Sequence, residues 1–226
     1  MSTWSEQSIC AFDLETTGPD PSHARIVTAC VATITGTEIS SRTWLLDPQT
    51  DIPQGATNVH GITTEHAREH GQDYAAGYSQ IRDALTQAWA AGQMVVAFNA
   101  SFDLTLMNAE GLRLGLTPLD PGLVVDPFVI DREMDKYRRG KRTLGDVSAH
   151  YGVPLENSHE AEADALAAAH LVRALTAKYP QITTLDIVSE QTAWHAERQR
   201  DFAAYLTRQG KDASDVNGEW PIRQSC

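Results

Sequence analysis

The chain of 226 residues is short of positive charge: 18 Lys and Arg stand against 30 Asp and Glu, a net charge of −12. A protein that grips long duplex DNA by counterion release needs the opposite balance, so that class is disfavoured. An enzyme that holds a few nucleotides through metals and local contacts is not. Cysteine is scarce too. Cys10, Cys30 and Cys226 are far apart and odd in number, and the first two fall in strand-like stretches. They read as buried packing residues and a free tail thiol, which counts against a disulfide frame or a zinc site. No apolar run approaches the ~20 residues that cross a membrane. The first residues lack the basic and then apolar regions of a signal peptide. A cytoplasmic protein with no membrane partner is expected. The length suits one domain plus a modest appendage, without internal repeats or low-complexity segments.

What the chain does have is an alternation of strands and helices. Residues 8–12 read as a strand with no polar face, hence buried on both sides. Residues 25–35 and 37–46 read as a hairpin joined at Gly36, and 94–98 and 123–125 as short buried strands. Helices are predicted from Thr63 or Thr64 to His70, over 74–91, from Asn99-Ala-Ser101 to Gly111, after Asp126-Pro127, over 143–151 and over 160–179. The pattern is α/β with a parallel element in the sheet. From residue 181 the character changes, to one more amphipathic helix (Leu185, Val188, Trp194, Phe202, Leu206) and an apolar clasp at 218–222.

The first strand ends in Asp13-Leu14-Glu15-Thr16-Thr17-Gly18. Alternation puts Asp13 and Glu15 on one face, about 7 Å apart, where like charges repel and resist desolvation. A divalent cation would neutralise them; a polar strand end open to water is the plainer reading. Three further elements bear on the choice. Asp103 falls in the first turn of a helix, where it also suits the helix dipole. Asp164 leads the apolar face of the last long helix, a costly place for an unpaired carboxylate. His159 precedes Asp164 by five residues, so within one regular helix the two would diverge by ~140°. They converge only if His159 lies on an irregular helix start, with Asn157-Ser158 as caps. Four carboxylates suit two hard cations, Mg²⁺ or Mn²⁺ rather than zinc. Two such ions ~3.5–4 Å apart clamp an in-line phosphoryl displacement, and a histidine takes the proton from water.

Asp13-x-Glu15-Thr-Thr-Gly18, Asn99-x-x-Phe102-Asp103 and His159-x-x-x-x-Asp164 together resemble the three exonuclease motifs of the DEDDh exonucleases, a group that includes the proofreading epsilon subunits of bacterial replicative polymerases. The likeness covers roughly residues 8–179. It implies a ribonuclease-H-like fold, a mixed five-stranded sheet flanked by helices, occupying residues 7–180, with 181–226 as a helical C-terminal extension outside it. It implies 3′→5′ hydrolysis of a nucleic-acid end with release of nucleoside 5′-monophosphates. Carried over by position, Asp13 bridges two metals, Glu15 and Asp164 hold the one that carries the water, Asp103 supports the second, and His159 is the general base. Leu14, Thr16, Thr17, His60, Asn99 and Phe102 are the implied substrate contacts. His60 comes from Val59-His60-Gly61-Ile62-Thr63, which looks like a segment of the bacterial members. Asp126-Pro127-Phe128 departs from the usual pattern, since Pro127 sits where many relatives have threonine.

Single-stranded DNA ends are the expected substrate, with RNA 3′-end trimming as the alternative. The basic residues Arg138, Arg139, Lys141 and Arg142 would guide the strand, or be a solvated loop. The extension would brace the domain, pair with a second copy or dock on a DNA polymerase. Two other classes remain: a non-catalytic polymerase-associated module, and a zinc protease, because His66-Ala67-Arg68-Glu69-His70 is literally H-x-x-E-H.

Overall fold

The computed structural model describes residues 3–155 and 158–224; Asn157, half of the expected cap, and Cys226 lie outside them. Three strands, β1 (Ile9–Thr16), β2 (Ile26–Thr35) and β3 (Glu38–Leu45), form an antiparallel ribbon. Gly36, at φ 62°, supplies the positive angle that the tight β2–β3 turn requires. Two short strands, β4 (Met94–Val96) and β5 (Val124–Val125), add in parallel, giving the order β3-β2-β1-β4-β5. This is the mixed five-stranded α/β sheet expected from the sequence. Between them run α1 (Gln54–His60), α2 (Thr64–His70), α3 (Tyr74–Ala90) and α4 (Ala100–Arg113); after β5 come α5 (Pro127–Met134), α6 (Leu144–Tyr151), α7 (Ala161–Lys178) and α8 (Ile187–Arg208).

Strand alternation sorts the core into two layers. Cys10, Phe12 and Leu14 face α3 and α4. Ile9 and Ala11 face α7, whose Ala161, Ala165, Ala168 and Ala169 let it lie close to the sheet. Tyr78, Ile81 and Leu85 make the buried stripe of α3, each worth ~1.5–3 kcal/mol of burial for the aliphatic pair. Asp73 caps that helix by accepting from the Ala76 amide, as Thr63 caps α2 from His66.

β1 outlasts its apolar run. Pairing with β2 carries it through Asp13 and Glu15 to Thr16, whereas pairing with β4 stops at Ala11 opposite Val96. β4 ends two residues earlier than predicted because the chain turns away at Asn99, whose φ of 63° is left-handed. The end of β1 therefore projects past β4, with its carboxylates on the α7 side.

Helix α1 has no counterpart in the helices expected from the sequence. It buries no side chain, so it has no apolar period to read, and Gly61 at φ 78° ends it directly after His60. The extension folds back on the domain. Gln191 of α8, fully buried, accepts from the Asp126 amide at 2.7 Å and donates to the Val124 carbonyl at 3.0 Å. That closes the polar edge of β5. Trp220 enters the core beside α4, and Arg223 reaches Thr105 and Ser101 of that helix. Among the described residues no helix is long and apolar enough to cross a membrane.

Candidate active site

Four carboxylates meet where β1 overruns β4. Asp13 and Glu15 come from β1, Asp103 from the first turn of α4 and Asp164 from the first turn of α7. Asp103 and Asp164 are buried, at 4% and 8% exposure. The Leu14 amide lies close to the Asp103 carboxylate, where α4 meets the strand. No Lys or Arg pairs with any of the four among the described residues.

Burial pushes all four toward protonation, and repulsion from neighbouring carboxylates adds to it at Asp13, Glu15 and Asp103. Desolvation raises Asp13 well above the usual carboxylate range, and Asp103, Asp164 and Glu15 push it further. Burial with help from Asp164 lifts Glu15 to about 7. Asp103 is raised by burial, then by Asp126 and Glu15, against the opposing pull of backbone donors. Asp164 is raised by burial, offset in part by the His159 amide and ring. Without a cation these groups destabilise one another in their charged form.

His159 does sit on an irregular helix start. It precedes α7, has a left-handed φ of 73°, and its amide donates to Asp164 Oδ2 at 3.2 Å. The condition for His159 and Asp164 to converge is thus met, with the imidazole exposed. Glu15, His159 and Asp164 each bring one ligand atom within 4.8 Å of the other two. Asp164 Oδ1 is buried without a hydrogen-bond partner. An oxygen-rich donor set with an orphaned buried oxygen fits a hard divalent cation.

The expected substrate contacts lie in different surroundings. His60, at the end of α1, accepts the Ile62 amide on Nδ1 at 3.1 Å, leaving Nε2 buried without a regular partner. That ring faces the Thr16 backbone and His159, and burial lowers its pKa. Leu14 is buried in the α3–α4 layer. Thr16 spends its hydroxyl on the Gly18 carbonyl at 2.8 Å, and Thr17 accepts from the Arg25 amide at 2.9 Å. Both shape the turn after β1. Phe102 is half-buried against the core.

Asn99 owes its position to Asp126, which the sequence marks only as part of a departure from the family's pattern. Asp126, 1% exposed, accepts the amides of Asn99 and Ala100, each at 2.9 Å, and caps α5 through Phe128. Burial lifts its pKa to about 6. Asp-Pro at a strand end is a recognisable helix-start signal, and Pro127 serves there as the first helical residue.

The basic segment requires a correction. Arg138 donates to both oxygens of Asp131, at 3.0 and 2.9 Å, and Arg142 donates to Oδ2 at 2.7 Å. Asp131 is fully buried and Arg142 is 9% exposed. These two guanidiniums are consumed by an internal brace; only Arg139 and Lys141 face solvent and remain available to a strand. The zinc-protease reading fails on ligands. His66 and His70 lie on an exposed two-turn helix, and the one metal-capable group of three among the described residues is Glu15, His159 and Asp164.

The RNase_T family profile, described as exonuclease, matches residues 10–172. The PolC-type DNA polymerase III of Streptococcus suis is 32% identical over 173 residues, 74% of this chain but 11% of that protein. The chain thus spans about a tenth of the curated relatives it matches. Among solved structures, Escherichia coli exonuclease I in complex with a dT13 oligonucleotide superposes with a TM-score of 0.68 at 18% identity, covering 78% of this chain and 42% of that one. A zinc-bound form of the same enzyme with single-stranded DNA gives 0.70 at 17% identity, covering 88% and 45%. Those likenesses carry the ribonuclease-H-like fold. With the profile spanning most of its length, the chain belongs to the RNase_T exonuclease family, whose DEDDh type is a family of 3′→5′ exonucleases.

Proposed function

We propose that the chain hydrolyses the terminal phosphodiester at the 3′ end of single-stranded DNA, releasing nucleoside 5′-monophosphates, with two Mg²⁺ or Mn²⁺ ions. One observation carries this: four carboxylates forced together at a strand end, all raised in pKa, with no Lys or Arg paired to them among the described residues. Asp13, Glu15, Asp103 and Asp164 hold the ions, which when bound supply electrostatic stabilisation of the charge that builds on the phosphate. His159 is exposed and close to Glu15 and Asp164, so it can take the proton as water attacks phosphorus and the O3′ of the preceding nucleotide leaves. His60 closes the other side, with Thr16, Asn99 and Phe102 around the terminal nucleotide.

Catalysis resides in residues 7–180, and 181–226 act first as its brace. The exonuclease I complexes favour DNA over RNA. The PolC-type relatives favour a polymerase as partner, in the cytoplasm; the exposed Tyr205 of α8 offers a contact for it or for a second copy. The test uses 3′-labelled DNA and RNA oligonucleotides of one sequence with wild type and Asp13→Ala. Mg²⁺-dependent release of mononucleotides from DNA, lost in the variant, is expected. Faster attack on RNA would reassign the substrate, equal activity in both proteins would remove the mechanism, and an inert wild type would favour the non-catalytic module.

A further inference from the structure

A cleft of about 300 Å³ opens between α5 and α8, and Asn99 lies on its wall. That volume is at the small end of ligand sites and suits one flat ring system. α8 lies outside the stretch matched by the family profile, so this wall belongs to the chain's own extension. Phe128, Trp194 and Phe202 line it, Phe202 being 46% exposed. The Arg132 guanidinium stacks over the Phe128 ring at 4.5 Å and has no ion pair or hydrogen bond among the described residues. Arg198 has no ion pair there either, though Asp201 lies near it. At the rim Lys136 answers Glu133 and Glu197, at 3.8 and 3.5 Å.

His195 supplies the second, independent sign of a ligand. It is 6% exposed and lines the cleft. The Asn217 carbonyl lies beside its ring, and Nε2 is buried with no hydrogen-bond partner. That nitrogen donates or accepts according to the tautomer, and in either form it is a polar atom waiting for a partner. Aromatic faces, an unpaired guanidinium and a buried polar ring atom are the parts that hold a nucleotide: stacking for the base, charge for the phosphate, one polar atom for a base edge. Every nucleobase edge carries both donors and acceptors, so the cleft would tolerate sequence.

We propose that this cleft is an upstream subsite that holds an unpaired base and its phosphate from the same strand whose 3′ end lies at Asp13, an inference that rests on the nuclease reading. Position supports it. β4 separates β1 from β5, so the strand that leads into α5 lies about two strand spacings, ~10 Å, from β1, and the cleft opens beyond it. At roughly 3.4 Å per stacked nucleotide, about three nucleotides cover that span.

The test is anisotropy of a 5′-fluorescein single-stranded DNA 12-mer against the full chain in EDTA, where cleavage is stopped, alongside kcat and KM with Mg²⁺. Phe202→Ala and Arg132→Gln are the variants; Phe202 is exposed enough to be replaced without unfolding the chain, which circular dichroism checks. Each should weaken binding about tenfold and raise KM in parallel with little change in kcat. Binding equal to wild type in both variants, or no binding by wild type, overturns the subsite. If wild type cleaves DNA while the variants bind normally, the subsite falls and the nuclease reading stands. If wild type binds through Phe202 but cleaves nothing, the cleft holds single-stranded DNA but is no upstream subsite, and the nuclease reading falls.

Discussion

Asp131 and Asp103 are both shut away from water, at 0% and 4% exposure, yet their surroundings are opposite. Asp131 receives Arg138, Arg142 and the Tyr151 hydroxyl, so its charge and lone pairs are satisfied within the chain. Glu110 is treated likewise by Arg25, Arg113 and Tyr74. Asp103 instead faces Asp126 and Glu15 and adds to the repulsion on Asp13. A carboxylate buried among cations holds structure together. Carboxylates buried against one another cost stability, and such a cost persists where an external cation offsets it. The contrast separates brace from site without reference to any relative.

Substitution should break the contrast in opposite directions. Asp103→Asn is expected to lower kcat/KM by about 10³-fold or more, roughly 4 kcal/mol, while raising the melting temperature of the metal-free protein, since a repelling charge is gone. Asp131→Ala should do the reverse: it leaves two guanidiniums without their shared partner and lowers unfolding free energy by about 3–5 kcal/mol in a urea titration. A stable Asp131→Ala protein would mean the brace is ornamental.

pH sharpens the same difference. Glu15 has a folded pKa of about 7, above its ordinary 4.5. A raised acid means the folded state binds the extra proton, so metal-free stability falls as pH rises from 4.5 through 7. Burial lowers His60, His170 and His195, which acts in the opposite sense below 6.5. The difference between wild type and Glu15→Gln removes those histidines from the comparison. Melting temperatures without metal should nearly coincide at pH 4.5 and diverge by several degrees by pH 8, with the variant higher; a constant offset would contradict the assignment. The smallest effect belongs to Arg139→Ala with Lys141→Ala, expected to raise KM about twofold and flatten its salt dependence. Unchanged values would make those two a solvated loop.

The site was legible where chemistry follows a period. Alternation placed Asp13 and Glu15 together, and the helical stripe of α7 put Asp164 on its inner face. What stayed hidden depends on burial of polar groups, which a one-dimensional pattern does not carry. Arg138 and Arg142 look like surface charge until Asp131 is seen beneath them. Asp126 looks like a departure from a motif until the Asn99 and Ala100 amides are found on it. α1 has no apolar face, so the segment that presents His60 gave no helical signal. The extension's apolar residues announced a contact but not its address; Gln191 and Trp220 show that the address is the β5 edge and the α4 layer.

The most direct measurement is calorimetric titration of Mn²⁺ into the metal-free protein at pH 7, in two buffers of different ionisation enthalpy, for wild type and Asp13→Asn. Two ions bound with release of protons, chiefly from carboxylates whose pKa burial and their neighbours raise, and loss of that signal in Asp13→Asn, is the predicted result. No binding, or binding that survives Asp13→Asn undiminished, would contradict it.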